Sequence, residues 1–397
     1  MPSPQTQKAI LPEPDKSARR QSQAILDRVQ QACADNGGPI PFSRFMHIAL
    51  YEPGLGYYSA GLQKFGEQGD FITAPEISPL FTQCLANHVA AILSQLEQPQ
   101  VIEFGAGSGV MAADSLLHLE KLDKLPVRYN IVEVSASLRQ RQQQTIAGRA
   151  GHLLDRVTWL DRLPDQPCQA VVLANEVLDA MPVECFRKRS GRVEQMVIGM
   201  ENGGLFSDYR DAGVDLRRAV DNIEQRLAAT LPDDYHSEVN LHIRPWLASI
   251  HEALDAGVVL LIDYGYTVHE YYHPERNRGT LMCHYRHRAH PDPFWYPGLQ
   301  DITAYVDFTD VAHAAVDCGF EVRGFTSQAA FLMASGLADL HAEAVTDDPK
   351  QQIRLSQQIK TLTLPSEMGE RFKVMALGKQ LDAPLPGFFM HDLRGKL

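Results

Sequence analysis

An α/β fold with a mostly parallel sheet of seven strands, an N-terminal helical addition and inserted antiparallel strands is predicted by three observations. Val101 to Gly109 reads Val-Ile-Glu-Phe-Gly-Ala-Gly-Ser-Gly, an apolar run that ends in an acid and breaks into a glycine-rich turn before a helical pattern. Tyr129 to Glu133, Tyr-Asn-Ile-Val-Glu, reads as the next strand and also ends in an acid. Ala170 to Asn175, Ala-Val-Val-Leu-Ala-Asn, is apolar on both faces, as a strand inside a parallel sheet must be. Strands alternating with helices, with a glycine turn after the first, describe a Rossmann-like sheet.

Met1 to Lys16 holds four prolines with Glu13 and Asp15. It has neither the apolar stretch of a signal peptide nor the acid-poor, Arg/Ser-rich character of a transit peptide. A disordered, non-targeting tail over 1–16 and a cytoplasmic location are expected. Ala18, Ile25, Leu26, Val29 and Cys33 approximate a helical stripe over Ser17 to Ala34, closed by Asn36-Gly37-Gly38-Pro39. Gly66 to Pro79 is polar and glycine-rich, and Ser78-Pro79 opens a helix through Leu80, Leu85, Val89 and Ile92. Segment 17–98 is therefore a helical cap with a loop that covers a ligand.

Segment 99–182 is the first half of the core, with a short third strand at Val157 to Leu160 and the fourth at Ala170 to Asn175. Val183 to Arg189, Glu194 to Met200 and Gly204 to Tyr209 are separated by Ser190-Gly191 and Asn202-Gly203-Gly204. They predict an antiparallel insertion over 183–256, continued by helices at Leu216 to Leu231 and Leu241 to Leu254. The second half, 257–380, holds the fifth strand Gly257 to Tyr264, the sixth Phe320 to Phe325 and the seventh Phe372 to Gly378, before a tail over 381–397. His269 to Gly298, rich in His, Arg, Pro and aromatics, reads as an irregular lid within 269–300.

The net charge of −12 argues against a polyanion binder, because nucleic-acid affinity comes largely from Lys and Arg on phosphates. No run approaches the ~18 consecutive apolar residues of a membrane helix, so neither nucleic acid nor membrane is expected as a partner. The six cysteines contain no Cys-x-x-Cys pair. His284, His287 and His290 are evenly spaced, but Arg276, Arg278, Arg286 and Arg288 would repel a cation, and no metal is expected.

The chemistry concentrates after the first strand. Gly105, Gly107 and Gly109 let the backbone turn sharply and admit a ligand against the main chain. Glu103 narrows the ligand. A carboxylate there faces a dinucleotide pyrophosphate with the wrong sign, whereas it suits the ammonium and sulfonium of S-adenosylmethionine. Glu133 ends the second strand, where an acid accepts hydrogen bonds from ribose hydroxyls in either cofactor class. Asp70, Thr73 and Glu76 flank a helix start and are expected to close over the ligand. Asn175-Glu176-Val177-Leu178-Asp179 follows the fourth strand, on the side where open α/β sheets bind substrate. Asn175 is assigned to the cofactor, and Glu176 and Asp179 are the catalytic candidates. Asp263, at the end of the fifth strand, lies on the same side.

Together these blocks resemble the MidA family of S-adenosylmethionine-dependent methyltransferases, from about Pro41 to Gly378. The resemblance is carried by Tyr51-Glu52-Pro53-Gly54-Leu55-Gly56-Tyr57-Tyr58, Gly69 to Ser78, Glu103 to Gly109 and Asn175 to Pro182. Ile262 to Gly265, Gly279 to Leu281, Asp301 to Phe308 and Phe372 to Val374 add to it. It implies a class I methyltransferase fold, S-adenosyl-L-methionine as cofactor and S-adenosyl-L-homocysteine as product. Mitochondrial relatives act in assembly of respiratory complex I and dimethylate an arginine on a partner subunit. The implied partner is a protein carrying a target arginine; from their place after the fourth strand Glu176 and Asp179 are the first candidates to orient its guanidinium, ranked ahead of Asp70 and Glu76. A homodimer is carried as an expectation beside it. A small-molecule methyltransferase with a lid around Trp295 and an assembly chaperone that binds the cofactor without catalysis stay open; a nicotinamide oxidoreductase ranks last.

Overall fold

The computed structural model describes residues 11–60 and 73–397. The chain divides into two units, one of Met1–Phe71, Asp179–His242 and Val268–Tyr305, the other of Ile72–Leu178, Ile243–Thr267 and Val306–Leu397.

In the second unit the apolar runs become seven strands: β1 (Gln100–Phe104), β2 (Arg128–Val132), β3 (Val157–Leu160), β4 (Cys168–Asn175), β5 (Leu254–Tyr266), β6 (Glu321–Ser327) and β7 (Phe372–Lys379). Their order across the sheet is β6-β7-β5-β4-β1-β2-β3, and a short strand, Val306–Asp307, pairs with the end of β5. All neighbours in the path run parallel except β7, which is antiparallel to both β5 and β6. Both faces are covered. Val101, Tyr129, Ile131, Val171, Leu173, Leu260 and Ile262 pack with Leu85, Val89 and Ile92 of helix Pro79–Leu93 and with Met111, Leu116 and Leu119 of helix Val110–Lys121. Ile102, Val172, Val259 and Leu261, of opposite parity, are equally buried, and Phe104 meets Trp246 of helix Ile243–Ala253 edge-on at 5.3 Å. Burial on two faces is why these strands read as continuous apolar runs.

Helix starts follow local chemistry. Ser78 accepts the Leu80 N–H and Ser135 the Leu138 N–H at the N-caps of helices Pro79–Leu93 and Ala136–Ala150. The C-terminal segment is packed. Leu385 and Phe388 join the core, and the Gly387 N–H donates to Nδ1 of buried His88, whose pKa burial lowers to about 3.

The first unit holds a five-stranded antiparallel sheet of Ile40–Pro41, Glu184–Arg189, Arg192–Glu201, Gly204–Asp211 and Tyr235–Val239. Ser190-Gly191 and Asn202-Gly203 have positive φ and close its two hairpins, the turn geometry that matches strand twist. Helices Lys16–Asp35 and Phe42–Tyr51 contribute Ile25, Val29, Phe42, Phe45 and Ile48 to its core. Two regions differ from the sequence reading. The stretch read as an irregular lid carries a helical turn, Val268–Tyr271, and an antiparallel sheet of Met282–Tyr285, Arg288–His290 and Asp301–Thr303. Its strands are too short to show alternation. Within the tail, residues 1–10 lie outside the described ones, while Leu11 is buried with Tyr285, Trp295 and Leu299, and Asp15 caps the first helix. Among the described residues no helix is long and apolar enough to cross a membrane.

Candidate active site

Register places the chemistry at the carboxyl ends of the central strands. Phe104 is level with Val132 of β2 and Ala174 of β4, so Gly105, Glu133 and Asn175 each stand one residue beyond on neighbouring strands. Ile262 of β5 is level with Asn175, which puts Asp263 beside Glu176. Parallel strands lie about 4.8 Å apart, so these groups line one edge.

The turn itself is left-handed at all three glycines, with φ of 63° at Gly105, 53° at Gly107 and 84° at Gly109. Gly109 is the N-cap of helix Val110–Lys121, and a Cβ there would lie 2.9 Å from Cα of Gln142. Gly109→Ala therefore combines backbone strain with a clash against main chain. It is expected to lower the unfolding free energy by about 1–3 kcal/mol and to weaken cofactor binding more than about tenfold. Thermal unfolding with and without S-adenosylhomocysteine checks both.

Glu103 is fully buried; its Oε2 accepts a hydrogen bond from the Tyr129 hydroxyl at 2.7 Å, and its Oε1 has no partner among the described residues. Burial pushes its carboxyl up to about 7, against the Tyr129 hydrogen bond, which lowers it. Glu133 accepts the Ser135 N–H at 2.8 Å and Nε2 of Gln142 at 3.1 Å, and burial raises its pKa too. Gln142 escaped the sequence reading. From helix Ala136–Ala150 it donates to Glu133 and to the Gly107 carbonyl at 3.2 Å, and accepts from Trp159 Nε1 at 2.9 Å, tying the glycine turn to the acid. The available signal was an amide on that helix's buried row of Leu138, Gln142, Ile146 and Ala150.

Around this edge, the Ser108 hydroxyl bonds Glu76 of the short helix Ala74–Ile77, and Thr73 sits at that helix's N-cap. Asp70 lies outside the described residues. Asn175 donates to Oε1 of Glu176 at 3.3 Å. Glu176 is held at φ 53°, a left-handed conformation unusual for a side chain with a Cβ. Its N–H donates to the Ile262 carbonyl at 2.8 Å, and the Leu178 N–H to Oδ2 of fully buried Asp263 at 3.0 Å. Two bonds to β5 thus fix the loop.

Asp179 belongs to the other unit. There Asp179 is buried and its carbonyl accepts the Ala304 N–H at 3.0 Å. In the same unit the Tyr58 hydroxyl bonds the Asp301 carboxylate at 2.9 Å and Tyr51 donates to the Ala180 carbonyl at 2.8 Å. Burial and then Asp301 push the Tyr58 pKa well up, with Tyr51 and Asp179 adding to the effect.

These residues fit S-adenosylmethionine. A carboxylate oxygen without a partner beside a left-handed glycine turn offers a cationic ligand both a countercharge and an open main chain, and Glu133 retains acceptor capacity for ribose hydroxyls. Comparison with known proteins agrees. Residues 84–326 match the family model described as "Putative S-adenosyl-L-methionine-dependent methyltransferase". The chain is 41% identical to a Burkholderia thailandensis protein described as a COG1565 superfamily member and "likely methyl transferase", solved bound to S-adenosyl-homocysteine. That likeness covers 98% of this chain and 100% of the other, with a TM-score of 0.92.

Among curated relatives, the Drosophila melanogaster mitochondrial protein arginine methyltransferase NDUFAF7 homolog is 29% identical over 92% of this chain and 87% of its own length. The Mus musculus mitochondrial protein arginine methyltransferase NDUFAF7 is 28% identical over 86% and 81%. These relatives overturn the cytoplasmic location expected from the sequence, since both are mitochondrial proteins. That expectation rested on the missing marks of a leader in residues 1–16, and the lack of such marks names no compartment. The family model, the bound product in a structure of the same fold and the site geometry converge: the chain belongs to the MidA family of class I S-adenosylmethionine-dependent methyltransferases.

Proposed function

We propose that this S-adenosylmethionine-dependent methyltransferase acts on an arginine of a partner protein. The observation that carries the reading is the likeness to protein arginine methyltransferases along 86–92% of the chain. The cofactor supplies a methyl already activated on a sulfonium, so the protein's task is positioning and exclusion of water. Glu103 takes the cofactor's ammonium, Glu133 its ribose hydroxyls, and Thr73 and Asn175 border it. Glu176 orients the guanidinium, whose planar fork suits a carboxylate, and Asp179 is the second acid proposed for that task; the nitrogen that accepts the methyl passes its proton on to water. The latched loop supports this role for Glu176, because a carboxylate that must aim a substrate gains from a fixed backbone.

The test is transfer of labelled methyl from S-adenosylmethionine into an extract of cells lacking the gene, with mass spectrometry of any labelled band. Respiratory-complex subunits are the first proteins to inspect. Methylarginine in one discrete band is the expected result. Label in small molecules alone, or no label despite cofactor binding, contradicts it and favours a small-molecule acceptor or a chaperone.

A further inference from the structure

Glu103 is a fully buried carboxylate with a single described hydrogen-bond donor, and that donor is neutral. Tyr129 and Val101 are level across β2 and β1, and Glu103 is level with Ile131, so phenol and carboxyl share one face of the sheet as diagonal neighbours. The Tyr129 ring is itself fully buried, on a strand whose place is set by pairing on both sides. The hydroxyl has little freedom to leave. We propose that Tyr129 is a positioning residue of the methyl-donor site, holding the Glu103 carboxylate by one oxygen so that the other is presented to the cofactor's ammonium.

The chemistry explains why the donor is a phenol. A lysine or arginine in its place would neutralise Glu103 and remove the reason for a cation to bind. An apolar residue would leave a buried carboxylate with neither orientation nor hydrogen bond, which burial alone would keep protonated. A neutral O–H orients the group and favours its ionised form while leaving the negative charge to be met by the ligand. Around Glu103, β2 contributes Tyr129 and Ile131 and β4 contributes Leu173. Among the described residues the influences resolved on its carboxyl are burial and Tyr129, with no lysine, arginine or histidine.

The inference rests on the assignment of Glu103 to the ammonium, and the experiment separates the two. S-adenosylhomocysteine, which carries the same ammonium, is titrated calorimetrically into wild type, Tyr129→Phe, Glu103→Gln and the double variant from about pH 5.5 to about pH 8.5. Wild-type affinity should rise with pH, and Tyr129→Phe should move the midpoint upward by about one unit, weakening binding about tenfold near pH 6 and far less at the alkaline end. A purely structural role would lower affinity by one factor at every pH, and that result overturns the proposal.

Should Tyr129→Phe fail to fold, the double variant, free of the buried charge, carries the test. It should bind as Glu103→Gln does, whereas a further pH-independent loss contradicts the inference. A Glu103→Gln protein that binds like wild type at every pH sinks the ammonium assignment itself. A flat Glu103→Gln profile with an unmoved Tyr129→Phe midpoint keeps that assignment and removes Tyr129.

Discussion

Replacing Glu176 by glutamine, which keeps shape and removes charge, is expected to lower methyl transfer to an arginine substrate by about 10²- to 10³-fold. Losing one partner of a desolvated charge pair typically costs several kcal/mol, and each ~1.4 kcal/mol is a factor of ten in rate. Cofactor affinity should stay within about threefold of wild type, because an interaction confined to the acceptor's charge leaves donor binding alone. The Asn175 amide, 3.3 Å from Oε1 of Glu176, can still bond the glutamine oxygen, so the loop is preserved. Asp179→Asn belongs in the same assay. Turnover unchanged in both variants would remove both acids from the mechanism.

Glu103→Gln is expected to weaken S-adenosylhomocysteine binding about ten- to hundredfold near neutral pH, the range of a charge-assisted hydrogen bond. The same residue sets a pH signature. In the cofactor-free protein burial holds its pKa at about 7, against an ordinary value of 4.5. Between those values the folded state binds more protons than the unfolded one. Stability is therefore full below the unfolded pKa and is lost as pH rises through the folded one, by about 3 kcal/mol. An ammonium beside the carboxylate favours its ionised form, so binding near pH 6 should release a proton and the ligand should stabilise the protein more as pH climbs. Glu103→Gln should abolish both slopes. Calorimetry in two buffers of different ionisation enthalpy measures the proton release; equal release from wild type and Glu103→Gln contradicts the account.

What the sequence showed tracks how much side-chain pattern each element imposes. The β1 strand with its glycine turn and β4 were legible because burial on two faces leaves long apolar runs. The hairpins of the insertion were legible because Ser190-Gly191 and Asn202-Gly203 suit positive φ. Strand Tyr235–Val239 was not, because polar Ser237 and Glu238, on opposite faces, are both buried and blur the alternation. Buried Glu238 accepts the Thr280 N–H at 2.9 Å and the Thr280 hydroxyl from 42 residues away, and the Leu281 N–H and Tyr271 hydroxyl as well. Helix Pro349–Thr363 escaped for a different reason: Leu362 alone is buried on it, so it carries little periodic signal.

In the site, strand-end acids could be listed from sequence, but their partners could not. Gln142 reaches the Gly107 carbonyl across 35 residues, and Tyr129 reaches Glu103 across 26. Spacing along the sequence also grouped Glu176 with Asp179, although the chain passes from one unit to the other at Leu178.

The site assignment puts the methyl donor at the carboxyl ends of β1 and β2, its charge met by Glu103 and its ribose by Glu133. A crystal structure of the protein with S-adenosylhomocysteine tests this most directly. The ligand's ammonium is expected within about 2.7–3.2 Å of Oε1 of Glu103, its ribose hydroxyls on Glu133, and its chain against the main chain of Gly105 to Gly109. A ligand bound elsewhere, or one at this turn with Glu103 still bonded to protein alone, would contradict it.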